Sequence, residues 1–255
     1  MTVSFNAESC IEKTLLSVTG QDYDNLEYIV IDGGSSDKTP DIIRKYESGL
    51  AYWCSERDGG IYFGMNKGIA AATGDFILFM NADDVFADSH VVSDVAGFID
   101  THPEAEVIYG DSEQVLEYGT YAVHPDCAGL KRSMAISHQA TFVRTALLRE
   151  HPFDTRYRYA ADYEQLSSLF LAGHSFVHCE RIVARVEMRG GTTFRNYLNS
   201  AEELYSIIEA RGEDITAEKR KMIRHKRVVR AFRACMPGFI ARPVFRLIAK
   251  FYKVL

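Results

Sequence analysis

Asp75-Phe76-Ile77-Leu78-Phe79-Met80-Asn81-Ala82-Asp83-Asp84 is the stretch on which the fold turns. Its bulky apolar residues, Phe76 to Met80, run without alternation and end near two adjacent carboxylates. A run this short and this apolar reads as a strand covered on both faces, as in a parallel sheet with helices on either side. In open α/β sheets ligands bind at the carboxyl ends of the strands, which is where Asp83 and Asp84 fall. Neighbouring carboxylates repel, and a hard divalent cation carrying a phosphate relieves that repulsion. The plainer alternative stays open on this stretch alone: Ala82-Asp83-Asp84 turns the chain towards a helix capped near Ser89.

Upstream, strand and helix signals alternate. Thr2 to Phe5 reads as the end of a strand, shorter than central strands usually are, so the chain has either lost upstream residues or carries a stunted first strand. Ile11, Leu15, Leu16 and Val18 follow at near-helical spacing behind a possible cap at Ser9. Glu27 to Asp32 is a buried strand stopped by Gly33-Gly34-Ser35-Ser36, with a helix from about Lys38 to Tyr46 after it. A strand near Ala51 to Ser55 and a helix from Ile61 to Ala72 lead into the decisive run. Repeated strand-helix units imply a doubly wound sheet. Downstream come a strand at Val107 to Asp111, a hairpin from Val115 to Val123, a strand near Gln139 to Val143 and a helix from about Ala160 to Ala172. A strand from Phe176 to Val186 and a helix from about Phe194 to Arg211 complete the body. The organisation expected is one α/β domain over 1–212 and a basic helical tail over 213–255.

Bulk properties narrow the class. Hydrophobic content of 47% and charged content of 25% suit a soluble globular chain of 255 residues. The net charge of −6 conceals a split: residues 219–255 carry 12 of the 29 Lys/Arg and no acid, leaving 17 bases against all 35 acids in the first 218. An acidic body argues against nucleic-acid binding by the main domain. Five scattered cysteines without a Cys-x-x-Cys pair argue against structural zinc and a disulfide framework and make reduced cytoplasmic thiols the expectation. No signal sequence and no run of 18 apolar residues occurs.

Several segments carry a more specific signal: Thr2-Val3-Ser4-Phe5-Asn6, Tyr28-Ile29-Val30-Ile31-Asp32-Gly33-Gly34-Ser35-Ser36-Asp37, and Ser55-Glu56-Arg57-Asp58-Gly59-Gly60-Ile61-Tyr62. Met65-Asn66-Lys67-Gly68-Ile69, Asn81-Ala82-Asp83-Asp84, His138-Gln139-Ala140-Thr141-Phe142 and Ala161-Asp162-Tyr163-Glu164 follow in order. Together they resemble the family-2 glycosyltransferases, above all the bacterial enzymes that build exopolysaccharide, capsule or O-antigen. The resemblance implies a GT-A fold, a nucleotide-diphospho-sugar transferase-like α/β/α sandwich with a mostly parallel central sheet. It implies a nucleotide-diphosphate sugar donor, most naturally a UDP-sugar, a glycan or polyprenyl-linked acceptor, an inverting reaction, and Mg²⁺ or Mn²⁺ as cofactor.

The residues suit those roles. Phe5 offers a flat face to a pyrimidine, and Asp32 can accept from its ring N–H. Gly33-Gly34-Ser35-Ser36 permits a tight turn and close ligand approach, but it is not the Gly-x-Gly-x-x-Gly of dinucleotide sites. By resemblance, Asp58 faces base or ribose, Asp83 faces ribose or sugar, and Asp84 ligates the metal. Asp162, at the start of an amphipathic helix, resembles the family's catalytic acidic residue and, as a base, can take the acceptor hydroxyl's proton, with Glu164 as a substitute. His138 and Gln139 match the acceptor side, and residues 189–193 match a loop closing over the donor. Where relatives often carry an Asp, this chain has Phe63.

In the tail, Met222, Val228, Val229, Phe232 and Met236 share one helical side and Lys226, Arg230 and Arg233 the other. Such helices suit an anionic membrane surface, with packing on the acidic body or a partner as the alternative, and the expected location is cytoplasmic and peripheral on the inner face of the plasma membrane. Two rivals remain: a sugar nucleotidylyltransferase, which would want a basic Gly-rich loop where Asn6-Ala7-Glu8-Ser9 stands, and a non-catalytic membrane-associated scaffold keeping the fold.

Overall fold

The computed structural model describes residues 1–116, 119–188 and 196–224. Three parallel strands, β1 (Thr2–Ser4), β2 (Ile29–Asp32) and β3 (Tyr52–Ser55), form one sheet in the order β1-β2-β3. A second sheet is ordered β4 (Phe76–Leu78), β8 (Thr141–Arg144), β6 (Val107–Leu116), β9 (Phe176–Glu187), β5 (Val85–Phe86), with β7 (Gly119–Val123) hairpinned onto β6. The two are stitched together at β1. The Met1 ammonium donates to the Leu78 carbonyl at 2.7 Å. The Met80 N–H donates to Met1 O at 2.9 Å and the Ala82 N–H to Val3 O at 3.3 Å. The decisive run therefore continues beyond β4 in the same direction as β1, β2 and β3, and all four end on one side.

Alternation within each central strand divides the core. Tyr28, Val30, Leu78, Met80 and Ile108 pack with Ile11, Leu15 and Val18 of α1 (Ile11–Thr19), Ile43 of α2 (Thr39–Lys45) and Val91 and Val95 of α4 (Val91–Thr101). The intervening Ile29, Ile31, Ile77, Phe79 and Val107 pack with Met65 and Ile69 of α3 (Ile61–Ala71), Leu147 and Leu148 of α5 (Thr145–Glu150) and Leu166 and Leu169 of α6 (Ala161–Leu171). Successive strand side chains point to opposite faces, so an unbroken apolar run fills two helix-covered layers at once.

The second half of the sheet is less parallel than its first. β8 runs antiparallel to both β4 and β6, and β5 antiparallel to β9, while β6 and β9 are parallel. Strand runs in the sequence carry no direction, and β8 enters after the excursion through β7 and two short 3₁₀ turns. The expected caps also shift: α1 and α4 begin after Cys10 and His90, neither with a side-chain cap bond, so Ser9 and Ser89 cap nothing.

Contacts divide the chain after Leu204, within α7 (Tyr197–Ala210). Beyond it, residues 216–224 are helical, Ile207, Ile208 and Ile215 are buried, and Lys219 pairs with Glu209. The expected donor loop at 189–193 and the tail from 225 lie outside the described residues. No described helix is long and apolar enough to cross a membrane, and the four described cysteines are free thiols.

Candidate active site

The parallel strands deliver Phe5, Asp32, Asp58 and the Asn81–Asp84 turn to one end of the sheet. Phe5, just past β1, is 65% exposed, an aromatic face open to solvent. Asp32, at the end of β2, is fully buried: its oxygens accept from the hydroxyls of Ser4 (2.9 Å), Ser35 (2.6 Å) and Ser55 (2.6 Å) and from the Ser35 N–H (2.9 Å). It is the floor of the site, with every visible partner supplied by the chain itself. Gly34 adopts φ +78°, and a Cβ there would meet the Arg57 backbone at 2.8 Å, so the turn needs glycine. Asp58 sits where a Cβ on Gly33 or Gly64 would come within 3.3 Å of its carboxylate, and it accepts from the Gly60 N–H at 2.8 Å.

The acidic turn is held from α1. The buried Thr14 hydroxyl donates to the Asp84 carbonyl (2.8 Å) and accepts from the Asp83 N–H (3.1 Å), fixing Asp83 at φ +91°. A positive φ at a non-glycine residue is strained and persists only where the surroundings impose it. Asp83 pairs with Lys13, the residue just before Thr14 on the same helix. Asp84 is buried; its carboxylate accepts from the Gln139 amide and the Glu187 N–H, both at 2.9 Å. Burial pushes its pKa up to about 6 against those two bonds, and the neighbouring Asp83 adds to the rise.

Across from this turn, Asp162 occupies the first turn of α6. One oxygen accepts from the Tyr62 hydroxyl and the Tyr163 N–H, each at 2.9 Å; the other lies 3.0 Å from His138 Nδ1. Burial favours the neutral acid. The bond and charge of His138, the Tyr163 N–H and the Tyr62 hydroxyl outweigh it, and the carboxyl is held below its usual range. The Tyr62 phenol is driven well above its ordinary value by burial and by the adjacent Asp162 charge, so it stays protonated and donates. His138 Nε2 lies 3.0 Å from the Asn81 amide nitrogen, which links the network back to the acidic turn. The Asn81 side-chain oxygen is buried and has no hydrogen-bond partner among the described residues.

His138 and Gln139, expected on the acceptor side, are thus the partners of the two acids themselves. Glu164 is engaged by the Ser168 hydroxyl at 2.8 Å, a turn away along α6. Sequence reasoning missed Lys13, Thr14, Tyr62 and Asn81. Tyr62 and Asn81 stood inside quoted motifs, a usable signal; Thr14 looks like any helical threonine and offered none.

Among the described residues no group of three His, Cys, Asp or Glu side chains is placed to hold a metal ion. The donors present are hard carboxylate oxygens, and each Asp84 oxygen accepts a single N–H. That set fits Mg²⁺ or Mn²⁺ arriving with phosphate ligands of its own, and does not form an all-protein cage.

A glycine-turned, parallel-ended α/β/α sandwich with carboxylates gathered at its strand ends defines the GT-A class. Solved structures agree in fold: Staphylococcus aureus TarS bound to UDP-GlcNAc superimposes with a TM-score of 0.67 at 23% identity, over 81% of this chain and 62% of that one. Glucosyl-3-phosphoglycerate synthase from Mycobacterium tuberculosis, solved with Mn²⁺, UDP and phosphoglyceric acid, gives 0.60 at 19%, over 82% and 76%. Residues 1–137 match the model of glycosyl transferase family 2, and the chain belongs to that family. An uncharacterised glycosyltransferase of Mycobacterium tuberculosis is 34% identical over 170 residues, which is 64% of this chain and 65% of the relative. The chain therefore spans just under two thirds of that relative's length.

Proposed function

We propose that the chain is an inverting, metal-dependent glycosyltransferase. It moves a sugar from a nucleotide-diphosphate donor, a UDP-sugar, to a hydroxyl of a glycan or lipid-linked acceptor in the synthesis of cell-surface polysaccharide. One observation carries the reading: consecutive residues of a single 3₁₀ turn grip both acids, His138 holding Asp162 and Gln139 holding Asp84. The turn fixes the spacing between the group that would take a proton and the group that would hold a cation. Structural neighbours solved with UDP, UDP-GlcNAc and Mn²⁺ support the donor class and the metal.

Phe5 would stack on the base, over a floor organised by Asp32, with Asp58 towards base or ribose and Asp83 towards ribose or sugar. Asp84 would hold Mg²⁺ or Mn²⁺, with diphosphate oxygens completing the shell. A cation bound there supplies positive charge to the departing nucleoside diphosphate. Asp162, kept ionised by His138 and Tyr62, takes the proton of the attacking hydroxyl. The hydroxyl attacks the anomeric carbon from the side opposite the leaving diphosphate, and the configuration inverts. The buried Asn81 oxygen would be satisfied by a hydroxyl donor brought in by substrate, removing the cost of an unpaired acceptor. The basic segment 219–255 would hold the protein at an anionic inner membrane surface, where a polyprenyl-linked acceptor resides.

The test follows UDP release from a panel of UDP-sugars with Mn²⁺ and a bacterial lipid-linked glycan fraction. Wild type should turn over at least one donor and Asp162→Asn should not; turnover unchanged in Asp162→Asn, or none by folded wild type, contradicts the reading.

A further inference from the structure

Beside Tyr62 opens a cleft of about 240 Å³ walled by Ile61, Tyr62, Phe63, Thr155, Tyr157 and Arg158. Its volume is below the roughly 300–1,000 Å³ of sites for drug-sized ligands, which suits a single ring. Tyr62 borders the cleft and its hydroxyl donates to Asp162 at 2.9 Å, so the cleft is one side chain removed from the proposed base. Ile61 and Phe63 are 39% and 45% exposed, unusual for large apolar side chains beside a polar site. The Phe63 ring lies against Gly59, where a Cβ would come within 2.5 Å of it, so its position is set by the backbone.

The cleft also carries charge. Arg156 is tied up by Asp154 through bonds of 2.6–3.0 Å. Arg158 makes no ion pair among the described residues, and its guanidinium lies 5.8 Å from the centre of the Tyr159 ring. Its loop is firmly held, because Glu203 accepts the N–H groups of Arg158, Tyr159 and Ala160 at 3.0, 2.7 and 3.0 Å. The cleft thus has an aromatic lining, an arginine without an ion pair among the described residues and, in Tyr62, a hydrogen-bonded link to the proposed base.

We propose that this cleft is the acceptor subsite and takes a sugar ring bearing an anionic substituent, a carboxylate or a phosphate. The proposal rests on the reading of Asp162 as base. The apolar face of the ring lies on Phe63, the anion meets the planar donor fork of Arg158, and a hydroxyl is directed past Tyr62 towards Asp162. A bare alkyl chain would use Ile61 and Phe63 and leave Arg158 idle, and a neutral sugar would do the same at the rim.

Ligand-observed NMR titrations with UDP and Mn²⁺ present test it, using methyl glucuronide, glucose 1-phosphate and methyl glucoside as probes. Wild type should bind at least one anionic probe about tenfold more tightly than methyl glucoside, and the stronger of the two anions names the substituent. Arg158→Gln should abolish that preference and Phe63→Ala should weaken all three, while UDP affinity, which reports folding, stays unchanged. Equal binding of charged and neutral probes, or a preference surviving in Arg158→Gln, overturns the proposal. Because binding requires no base, Asp162→Asn should still bind the probes. Full turnover in that variant would sink the base assignment separately.

Discussion

Asp162 shows how far single residues can be read. Its place at a helix start and its family likeness were visible, but what keeps it ionised was not: Tyr62 and His138 reach it from 100 and 24 positions away, and no local pattern encodes such contacts. Asparagine at 162 should lower kcat by about 10²- to 10⁴-fold, the usual worth of a positioned base, with UDP affinity unchanged by calorimetry. The pH dependence follows from the lowered pKa. A carboxyl whose folded pKa lies below its unfolded value of about 3.9 adds stability above that value and loses it as pH falls through the folded pKa. Urea midpoints of wild type and Asp162→Asn should therefore differ at pH 7 and converge towards pH 3. His138→Asn should let the Asp162 pKa rise and move the acid limb of the rate profile to higher pH; an unmoved limb would show that His138 does not hold the acid.

At the scale of elements, strands and helices were legible because apolar runs and helical spacing survive any tertiary context. Strand direction was not, which is why the antiparallel entry of β8 had to be seen. Nor was the two-residue β5, too short to carry a pattern. The clamp from α1 to the acidic turn belongs here too, since one buried hydroxyl joins a helix to a loop 69 and 70 positions on. Thr14→Val leaves the Asp83 N–H and the Asp84 carbonyl without that partner. It should cost about 1–3 kcal/mol in urea unfolding and weaken metal-dependent UDP binding. Thr14→Ser keeps the hydroxyl and should restore both, whereas equal losses in the two variants would mean the methyl group and not the hydroxyl matters.

For the whole molecule, the strand ends collect residues from positions 5 to 162 into a site that no single segment contains. The order of short motifs made that end legible; the pairing of Asp84 with Gln139 and of Asp162 with His138 depended on where the 3₁₀ turn before β8 packs. The charge split of the chain yields its own prediction. The full chain should co-sediment with phosphatidylglycerol vesicles and not with phosphatidylcholine, and lose binding in high salt. Replacing Lys226, Arg230 and Arg233 with glutamine should weaken binding by roughly 100-fold, at about 1 kcal/mol per cation near the surface; unchanged sedimentation would remove the membrane from the account. The central claim is that Asp84 and a divalent cation together hold the diphosphate of a nucleotide donor. Calorimetric titration of UDP into wild type and Asp84→Ala, each with and without Mn²⁺, addresses it most directly. The account predicts tight UDP binding only for wild type with Mn²⁺; UDP binding that ignores the metal, or that survives in Asp84→Ala, would contradict it.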